Sequence, residues 1–333
     1  MDGGFSASTP PGGSRHLVAP ELAPAIDLFP SFVLDDAFIA MLRAGGGLEH
    51  SIERPPMSPD QAAVRCDERF VPGLNGAPDV RVLVYTPPGA AAARPAYLQI
   101  HGGGFVLGSA EISDSWNRST AAALGCVVAA VDYRLAPETR FPGAVEDCYA
   151  ALKWLHDEAG ALGVDRTRIV IGGESAGAGH AAALALYARD RGEVPIRLQI
   201  LDSPMLDDRT GSTVEAHPYA GEFIWSPANN RYGWSALLGM EPGGPDTPPG
   251  ASPARAETLA DLPPAFIAIG ALDLFLEESL EYARRLIRAG VPTELHVIPG
   301  AFHGFGAAGL DAPQVQQHVR LFREALARAF LAP

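Results

Sequence analysis

One serine lies at the centre of the segment GESAG, residues 173–177, between an apolar run and an alanine-rich run. Gly173 and Gly177 allow a strand and the next helix to pass close together. The resulting tight, strained turn would expose the Ser175 hydroxyl, where it can act as a nucleophile. A helix that begins after Ser175 adds free N–H groups and the positive end of its dipole. Glycine-rich corners also bind phosphate or simply pack, so the motif alone leaves these interpretations open.

A second glycine-rich segment, HGGGF at residues 101–105, follows an apolar strand. Its three consecutive glycines free backbone N–H groups to point into a cleft, which is what a developing oxyanion requires. A flexible loop or a phosphate cradle is the alternative. No P-loop Lys-Ser/Thr pair follows, and neither a helical pattern nor an acidic residue near position 120 supports a dinucleotide site. The segment therefore favours an oxyanion loop.

A serine nucleophile needs a base, and the base needs an acid that orients it. Asp273 follows a predicted strand and precedes a predicted helix, and His303 lies in a glycine-flanked loop after the next strand. The order Ser, Asp, His, with steps of 98 and 30 positions, is that of a hydrolase whose triad members each follow a strand. The other eight histidines show no paired metal-ligand spacing, so we predict no metal and no cofactor.

Alternating strands and helices must position these residues. A hairpin is predicted over residues 65–88, where two period-2 runs flank a Gly/Asn turn. Beyond it, continuous apolar strands alternate with helical patterns, which is typical of a mostly parallel sheet covered on both faces. The predicted strands span residues 96–100, 126–131, 168–172, 198–201, 265–269 and 295–298, and the predicted helices span roughly 143–161, 176–190, 276–289 and 313–330.

Two regions lie outside that alternation. Residues 1–65 form an N-terminal segment with two short predicted helices within 22–44, which Pro30 separates. Residues 66–333 form the main domain, and its stretch 205–262 shows no clear strand. A stretch of that size between two strands indicates an inserted lid rather than a structureless loop.

The composition restricts the class of protein. The 333 residues are 47% hydrophobic, enough for a large core, and the formal net charge of −14 disfavours nucleic acid and anionic membranes as partners. Three widely separated cysteines without a CxxC pair fit a reducing cytosol. The N-terminus lacks the basic and apolar regions of a signal peptide, and no apolar run reaches the roughly 18 residues of a membrane span. We therefore expect a cytoplasmic protein without a membrane span.

Five motifs together resemble the hormone-sensitive lipase family, the bacterial family IV esterases of the α/β-hydrolase superfamily. They are HGGGF, DYRLAPE at residues 132–138, GESAG, the D-x-x-x-E-E run at residues 273–278, and HGF at residues 303–305. The resemblance covers about residues 80–330. It implies an α/β-hydrolase fold with a mostly parallel eight-stranded sheet flanked by helices, and a helical cap formed by the N-terminal helices and residues 205–262.

The resemblance also implies a role for each site residue. Ser175 is the expected nucleophile, His303 the general base and acid, and Asp273 the acid that holds the imidazole. The expected oxyanion donors are the backbone N–H groups of Gly103, Gly104 and Ala176. The expected supporting residues are His101, which orients the oxyanion loop, together with Gly102, Gly173, Glu174, Gly177 and Glu277.

Two positions depart from the family's pattern. Glu174 stands where the family usually has Asp or Thr. The proline that usually follows the acid of the triad is absent after Asp273, which leaves open whether Asp273 orients His303 alone or with help from Glu277. In DYRLAPE, Arg134 and Glu138 are either substrate contacts or a buried ion pair with Glu174 as a further partner. The ion pair is favoured, because an unpaired carboxylate beside the nucleophile is unfavourable.

The implied activity is the hydrolysis of short- to medium-chain acyl esters by a serine carboxylic-ester hydrolase, through an acyl-enzyme intermediate. A small-molecule ester is the expected partner, and a homodimer is left open. An amidase, or a lactone or carbamate hydrolase, on the same triad is the alternative. A non-catalytic small-molecule receptor is disfavoured, because the plant gibberellin receptors that resemble this family lack the catalytic histidine, which is present here as His303.

Overall fold

Eight strands form one sheet in the computed structural model, which describes residues 13–28, 32–45, 56–89, 93–215 and 217–331. In chain order they are β1 (Arg65–Val71), β2 (Val80–Thr86), β3 (Arg94–Ile100), β4 (Val127–Asp132), β5 (Val164–Glu174), β6 (Leu198–Asp202), β7 (Ala265–Gly270) and β8 (Thr293–Ile298). Their order across the sheet is β1-β2-β4-β3-β5-β6-β7-β8. β2 runs antiparallel to β1 and β4, and all the other neighbours are parallel. The predicted mostly parallel sheet of eight strands, with a hairpin at its start, is confirmed.

Apolar side chains cover both faces of this sheet. Residues 127–131 of β4 are all buried. Along β5, Ile169 and Ile171 pack into one apolar cluster, whereas Val170 packs into a second cluster that contains Phe322. Alternate residues of a strand point to opposite faces, so the two clusters mark a layer of helices on each side of the sheet.

Ten α-helices lie in the described part of the chain. They are α1 (Ala23–Leu28), α2 (Asp36–Ala44), α3 (Pro59–Ala62), α4 (Asp114–Leu124), α5 (Gly143–Asp157), α6 (Ala159–Leu162), α7 (Ala176–Arg191), α8 (Pro227–Leu238), α9 (Leu276–Arg288) and α10 (Pro313–Leu331). None of these helices is long and apolar enough to cross a membrane.

The helices differ from the sequence prediction at two places. The sequence pattern does not predict α4, because this helix is largely polar and buries only Asn117, Thr120 and Ala121, too few for an apolar period. The helix predicted over residues 143–161 is divided into α5 and α6 at Glu158. Helices α1 and α2 lie where two short helices are expected, and Phe29 between them falls outside the described residues.

The carboxyl ends of the central strands bring the candidate residues together. Glu174 ends β5, and Asp202, its register partner, ends β6. β7 ends three residues before Asp273, and β8 ends five residues before His303. Because these strands are parallel, the loops that follow them meet at one edge of the sheet.

Candidate active site

Ser175 occupies a strained corner between β5 and α7. Its φ of 54° and ψ of −122° lie outside the regions that most L-residues adopt. The Ser175 N–H donates to the Asp202 carbonyl at 2.8 Å, and the Ser175 carbonyl accepts from the Met205 N–H at 3.2 Å. Backbone atoms therefore hold the corner, and the hydroxyl is not needed for the turn.

Gly173 and Gly177 flank the corner because main chain approaches both of them closely. A Cβ on either glycine would overlap the carbonyl oxygen of Ile100 at the end of β3. A Cβ on Gly177 would also overlap the carbonyl of His101. The two glycines therefore let β3, β5 and α7 converge beside the serine.

His303 bridges Ser175 and Asp273. Its Nε2 lies 2.9 Å from Ser175 Oγ, and its Nδ1 lies 2.8 Å from Asp273 Oδ2. The other carboxylate oxygen of Asp273 accepts from the Phe275 N–H at 3.0 Å, which fixes the plane of the carboxylate. The Phe275 ring meets the imidazole edge-on, with centroids 5.2 Å apart. These contacts suit a proton on Nδ1 and a lone pair on Nε2 that faces the serine hydroxyl.

Neighbouring carboxylates control the charge of His303. Burial alone lowers the pKa of an imidazole, but the charge and hydrogen bond of Asp273, with the charges of Asp202 and Glu174, raise the pKa of His303 above its usual 6.5. Proton transfer from a serine hydroxyl turns the imidazole into an imidazolium. The site is therefore arranged to stabilise the cation which that transfer creates.

The oxyanion loop, residues 101–105, turns beside the serine corner. Gly103 and Gly104 have φ values of 127° and 60°, which favour glycine over any other residue. The Gly103 carbonyl accepts from the N–H groups of Val106 and Leu107 at 3.1 and 2.9 Å, and this closes the turn. Ala176 is the first residue of α7, so its N–H is among those that have no acceptor within the helix. This is the backbone arrangement that an oxyanion site requires.

His101 is buried and fixes the start of the oxyanion loop. Its ring stacks on Tyr133, with centroids 4.2 Å apart, and its Nδ1 lies 2.8 Å from the Gly102 carbonyl. The Tyr133 hydroxyl donates to the His101 carbonyl at 2.9 Å. A Cβ on Gly108 would lie 2.6 Å from His101 Nδ1, so the loop packs around the ring on this side as well. Within the described ranges, no group of three or more His, Cys, Asp or Glu side chains could hold a metal ion.

Residues 97–307 match the family model of the alpha/beta hydrolase fold, and they make up more than half of the chain. The chain belongs to the α/β-hydrolase family. As its motifs predict, this hydrolase lies in the group that resembles hormone-sensitive lipase, the bacterial family IV esterases.

Several of the curated and solved relatives carry esterase names. The hydrolase is 36% identical over 298 residues to Esterase LipI of Mycobacterium tuberculosis, over 86% of this chain and 90% of that protein. It is 33% identical to Carboxylesterase NlhH of the same organism, over 97% of this chain and 100% of the relative. A solved bacterial heroin esterase shares 37% identity and a TM-score of 0.83, over 95% of this chain and 99% of the other.

The ion pair predicted for Arg134, Glu138 and Glu174 is wrong. The Arg134 guanidinium binds Asp147 on α5 at 2.7 and 2.8 Å, and the same carboxylate accepts from the Arg134 N–H at 3.0 Å. Glu138, whose side chain is 65% exposed, pairs instead with Arg43 on α2 at 2.5 Å. The helix that follows DYRLAPE thus supplies a buried carboxylate to the arginine, and the glutamate lies at the surface.

Glu174 is the last residue of β5, directly before the serine corner, and its register partner is Asp202 at the end of β6. Its side chain passes close to the oxyanion loop, because a Cβ on Gly102 would lie 3.2 Å from Glu174 Cγ. Glu174 keeps solvent-accessible surface, but desolvation by the protein atoms around its carboxylate, followed by the charge of Asp202, raises the pKa of Glu174. The same two carboxylates raise the pKa of His303, so Glu174 acts on the site through its charge.

Glu277 and Glu278 both begin α9, but only Glu278 is buried. Glu278 accepts from the Leu206 N–H at 2.6 Å and from the Thr210 hydroxyl, so it holds the start of the insertion, residues 205–262. Burial, its largest influence, raises the pKa of Glu278 well above the usual range. Asp273 holds the imidazole, and Glu277 lies on the exposed face of the helix. The assisting role expected for Glu277 therefore finds no support.

The N-terminal helices of the hydrolase pack against the insertion. Asn229 of α8 accepts from the Leu34 N–H at 2.8 Å and donates to the Phe32 carbonyl at 3.1 Å. The Tyr232 hydroxyl donates to Asp36 at 2.7 Å. One apolar cluster joins both regions to the oxyanion loop and the Asp273 loop, and its buried members include Leu34, Ile39, Phe105, Trp225, Trp234, Leu274 and Phe275.

A second histidine–carboxylate pair, which no sequence motif predicts, lies next to the triad. His318 Nε2 on α10 lies 2.9 Å from Asp202 Oδ2. Burial lowers the pKa of His318, but Asp202 outweighs it and raises that pKa. The position of Asp202 at the end of an apolar strand is a signal that the sequence contains, whereas His318 belongs to no local motif.

Proposed function

We propose that this hydrolase cleaves carboxylic esters of short to medium acyl length through an acyl-enzyme on Ser175. The observation that carries the proposal is the continuous contact from Ser175 Oγ through His303 to Asp273, at 2.9 and 2.8 Å. Distances of this size let a proton pass from the hydroxyl to Nε2. The names of the relatives support an ester as substrate; one of them, 33% identical over 250 residues, is the ethyl acetate hydrolase of Pseudomonas putida.

Acylation begins when Ser175 Oγ attacks the ester carbonyl carbon and its proton passes to His303 Nε2. The carbonyl π electrons move to the oxygen, and the N–H groups of Gly103, Gly104 and Ala176 donate to this oxyanion. When the tetrahedral adduct collapses, the bond from carbon to the alcohol oxygen breaks. His303 returns its proton to that oxygen, which leaves a free alcohol and an ester of Ser175.

Deacylation repeats the sequence with water. His303 takes a proton from water, the hydroxide oxygen bonds to the acyl carbon, and the bond to Ser175 breaks as the proton returns to its oxygen. The buried Asp273 carboxylate accepts hydrogen bonds from both Nδ1 of His303 and the Phe275 N–H. It holds the imidazole in the tautomer that both half-reactions need.

The cap is formed by the N-terminal helices and the insertion, and it bounds the acyl pocket. The proposal is supported by the hydrogen bonds of Asn229 and Tyr232 to the N-terminal segment. Each buried methylene of the acyl chain contributes about 0.8 kcal/mol only while a wall remains for it to contact. We therefore expect the best substrates to carry about two to eight acyl carbons, and removal of residues 1–45 to change that preference.

We place the protein in the reducing cytoplasm, where a small ester is its substrate and a second copy of the chain is a candidate partner in a homodimer. Three free cysteines support the setting. Burial raises the pKa of Cys126 to about 12 and also raises the pKa of Cys148, so these thiols resist oxidation. The net charge of −14 disfavours nucleic acid, and light scattering of the purified protein decides between monomer and dimer.

The activity is tested with p-nitrophenyl esters of two to sixteen carbons and with the anilide that matches the best ester. Ser175→Ala is expected to lose about 10⁴-fold or more in kcat while it stays folded. Ser279→Ala, which removes another buried serine hydroxyl on α9, is the matched control and should keep its rate. Faster anilide cleavage would indicate an amidase, and a preference for long-chain emulsions would contradict the proposed pocket.

A further inference from the structure

Residues 223–225 of the insertion pack against the histidine loop, residues 299–304. The pairs are Phe223 with Phe302, Ile224 with Gly304, and Trp225 with His303. The ring centroids of Trp225 and His303 are 6.3 Å apart. A short run of the insertion thus covers the catalytic base and both of its neighbours in the chain.

The backbone of this run is strained. The Trp225 N–H donates to the Phe223 carbonyl at 2.7 Å, which closes a three-residue γ-turn around Ile224. Ile224 has a φ of 62°, a left-handed value that a β-branched residue rarely adopts. A γ-turn with positive φ at its central residue is rare and strained. Strain of this kind persists where the surrounding structure imposes it, and it is concentrated at functional sites.

The strained turn delivers the Trp225 indole to the catalytic centre. The ring is only 6% exposed, and its six-membered part fills the space in which Gly104 would carry a Cβ. Its Nε1–H donates to Asn230 Oδ1 at 3.2 Å, and the buried Asn230 donates in turn to the Thr210 carbonyl at 2.8 Å. The indole is therefore fixed by a hydrogen bond at one edge and by the oxyanion loop at the other.

We infer that Trp225 is a specificity-determining residue, the wall that limits the alcohol portion of the ester. The inference rests on the proposed function, in which the oxyanion points toward Gly104 and the leaving oxygen points toward His303. A ring that reaches both Gly104 and His303 lies beside the bond that breaks. It therefore meets the group carried by the leaving oxygen, and branched alcohols are excluded by contact with the indole.

The matched comparison is Trp234, the other buried tryptophan of the insertion. It is 1% exposed, and its described ring contact is with Phe105, at a centroid distance of 4.9 Å. It lies in the same apolar cluster as Trp225. A substitution there removes a similar volume from the cap without removing the contacts to Gly104 and His303.

The test compares Trp225→Ala, Trp225→Leu and Trp234→Leu on two series of substrates. One series varies the alcohol (ethyl, cyclohexyl and tert-butyl acetate), and the other varies the acyl group (ethyl acetate, butyrate and octanoate). Trp225→Ala should raise the kcat/KM ratio of tert-butyl to ethyl acetate about tenfold or more, with Trp225→Leu between it and wild type. The order within the acyl series should be unchanged, and Trp234→Leu should keep the alcohol ratio within about twofold of wild type.

An unchanged alcohol ratio in both Trp225 variants, or a change confined to the acyl series, overturns the inference. Labelling of Ser175 by a fluorophosphonate is measured on every variant, so that a variant that fails to fold is recognised. If Trp225→Ala does not fold, the result for Trp225→Leu is used in its place. Labelling with an unchanged ratio overturns only the role of Trp225. A wild-type enzyme that does not label overturns the proposed function itself.

Discussion

Gly104→Ala tests the oxyanion loop and its contact with the indole together. The new Cβ would overlap the six-membered ring of Trp225, and the φ of 60° costs an L-residue roughly 1–2 kcal/mol. The loop must shift to relieve that overlap, which removes a donor to the oxyanion. Loss of one such donor costs about 2.7–4 kcal/mol, or 10²–10³ in kcat. We therefore expect kcat on p-nitrophenyl acetate to fall about 100-fold or more, with little change in KM.

The double variant Gly104→Ala/Trp225→Ala separates the steric overlap from the backbone cost. With the indole removed the Cβ has space, and only the left-handed penalty remains. The double variant should therefore exceed the kcat/KM expected from the product of the two single effects by about tenfold, an interaction of about 1.4 kcal/mol. The assay is kcat/KM for all four members of the cycle, with thermal unfolding measured beside it.

Gly306→Ala is the control for this cycle, since a Cβ at that position meets nothing within 4 Å and the glycine follows the histidine loop closely. It should keep the wild-type kcat. Purely additive effects in the cycle would refute the packing of Trp225 on Gly104, and a wild-type kcat in Gly104→Ala would refute the oxyanion role of the loop.

The remaining predictions concern charge. Because the base His303 must be neutral, kcat/KM should rise with pH around an inflection above 6.5. Asp202→Asn removes a carboxylate that raises the pKa of His303, so it should move that inflection to lower pH. An inflection that stays at the same pH in the pH–rate profile would contradict this. Asp273→Asn should lower kcat about 10⁴-fold through the wrong tautomer, whereas the exposed Glu277→Gln should match wild type in the same assay. The pKa of the Glu278 carboxyl is higher in the folded protein than in the unfolded protein. Its contribution to stability is fully present at pH values below the unfolded-state pKa and is lost as the pH rises through the folded-state pKa. The free energy of unfolding of Glu278→Gln, relative to wild type, should therefore be higher at pH 9 than at pH 5, whereas Glu278→Ala should lose about 1–3 kcal/mol at pH 5. Urea unfolding at both pH values checks this, and equal changes in the two variants would contradict it.

The parts of the site that follow strands could be predicted from the sequence. Gly173 and Gly177 are fixed by the backbone approach of β3, so the sequence has to show glycines on both sides of Ser175. Asp273 and His303 follow apolar strands, and parallel strands bring the loops after them to one edge. Local patterns are enough for such residues, because each pattern reports a local steric or topological requirement.

Partners in three dimensions could not be predicted in this way. Nothing near Arg134 distinguishes Asp147 from Glu174 as its partner, because only the packing of α5 decides which carboxylate is nearest. Adjacent helical residues point about 100° apart, so the choice between Glu277 and Glu278 depends on the phase in which α9 begins. The contact of Trp225 with the oxyanion loop depends on a left-handed Ile224 that no propensity favours.

Peptide mapping of the enzyme after inactivation by a fluorophosphonate shows whether Ser175 carries the acyl group. Trypsin cleavage after Arg168 and Arg189 releases residues 169–189, in which Ser175 is the one serine. We expect one phosphonyl group per chain, found on that peptide, with loss of esterase activity in proportion to labelling. A phosphonyl group on another peptide, or full turnover by Ser175→Ala, would exclude Ser175 as the nucleophile.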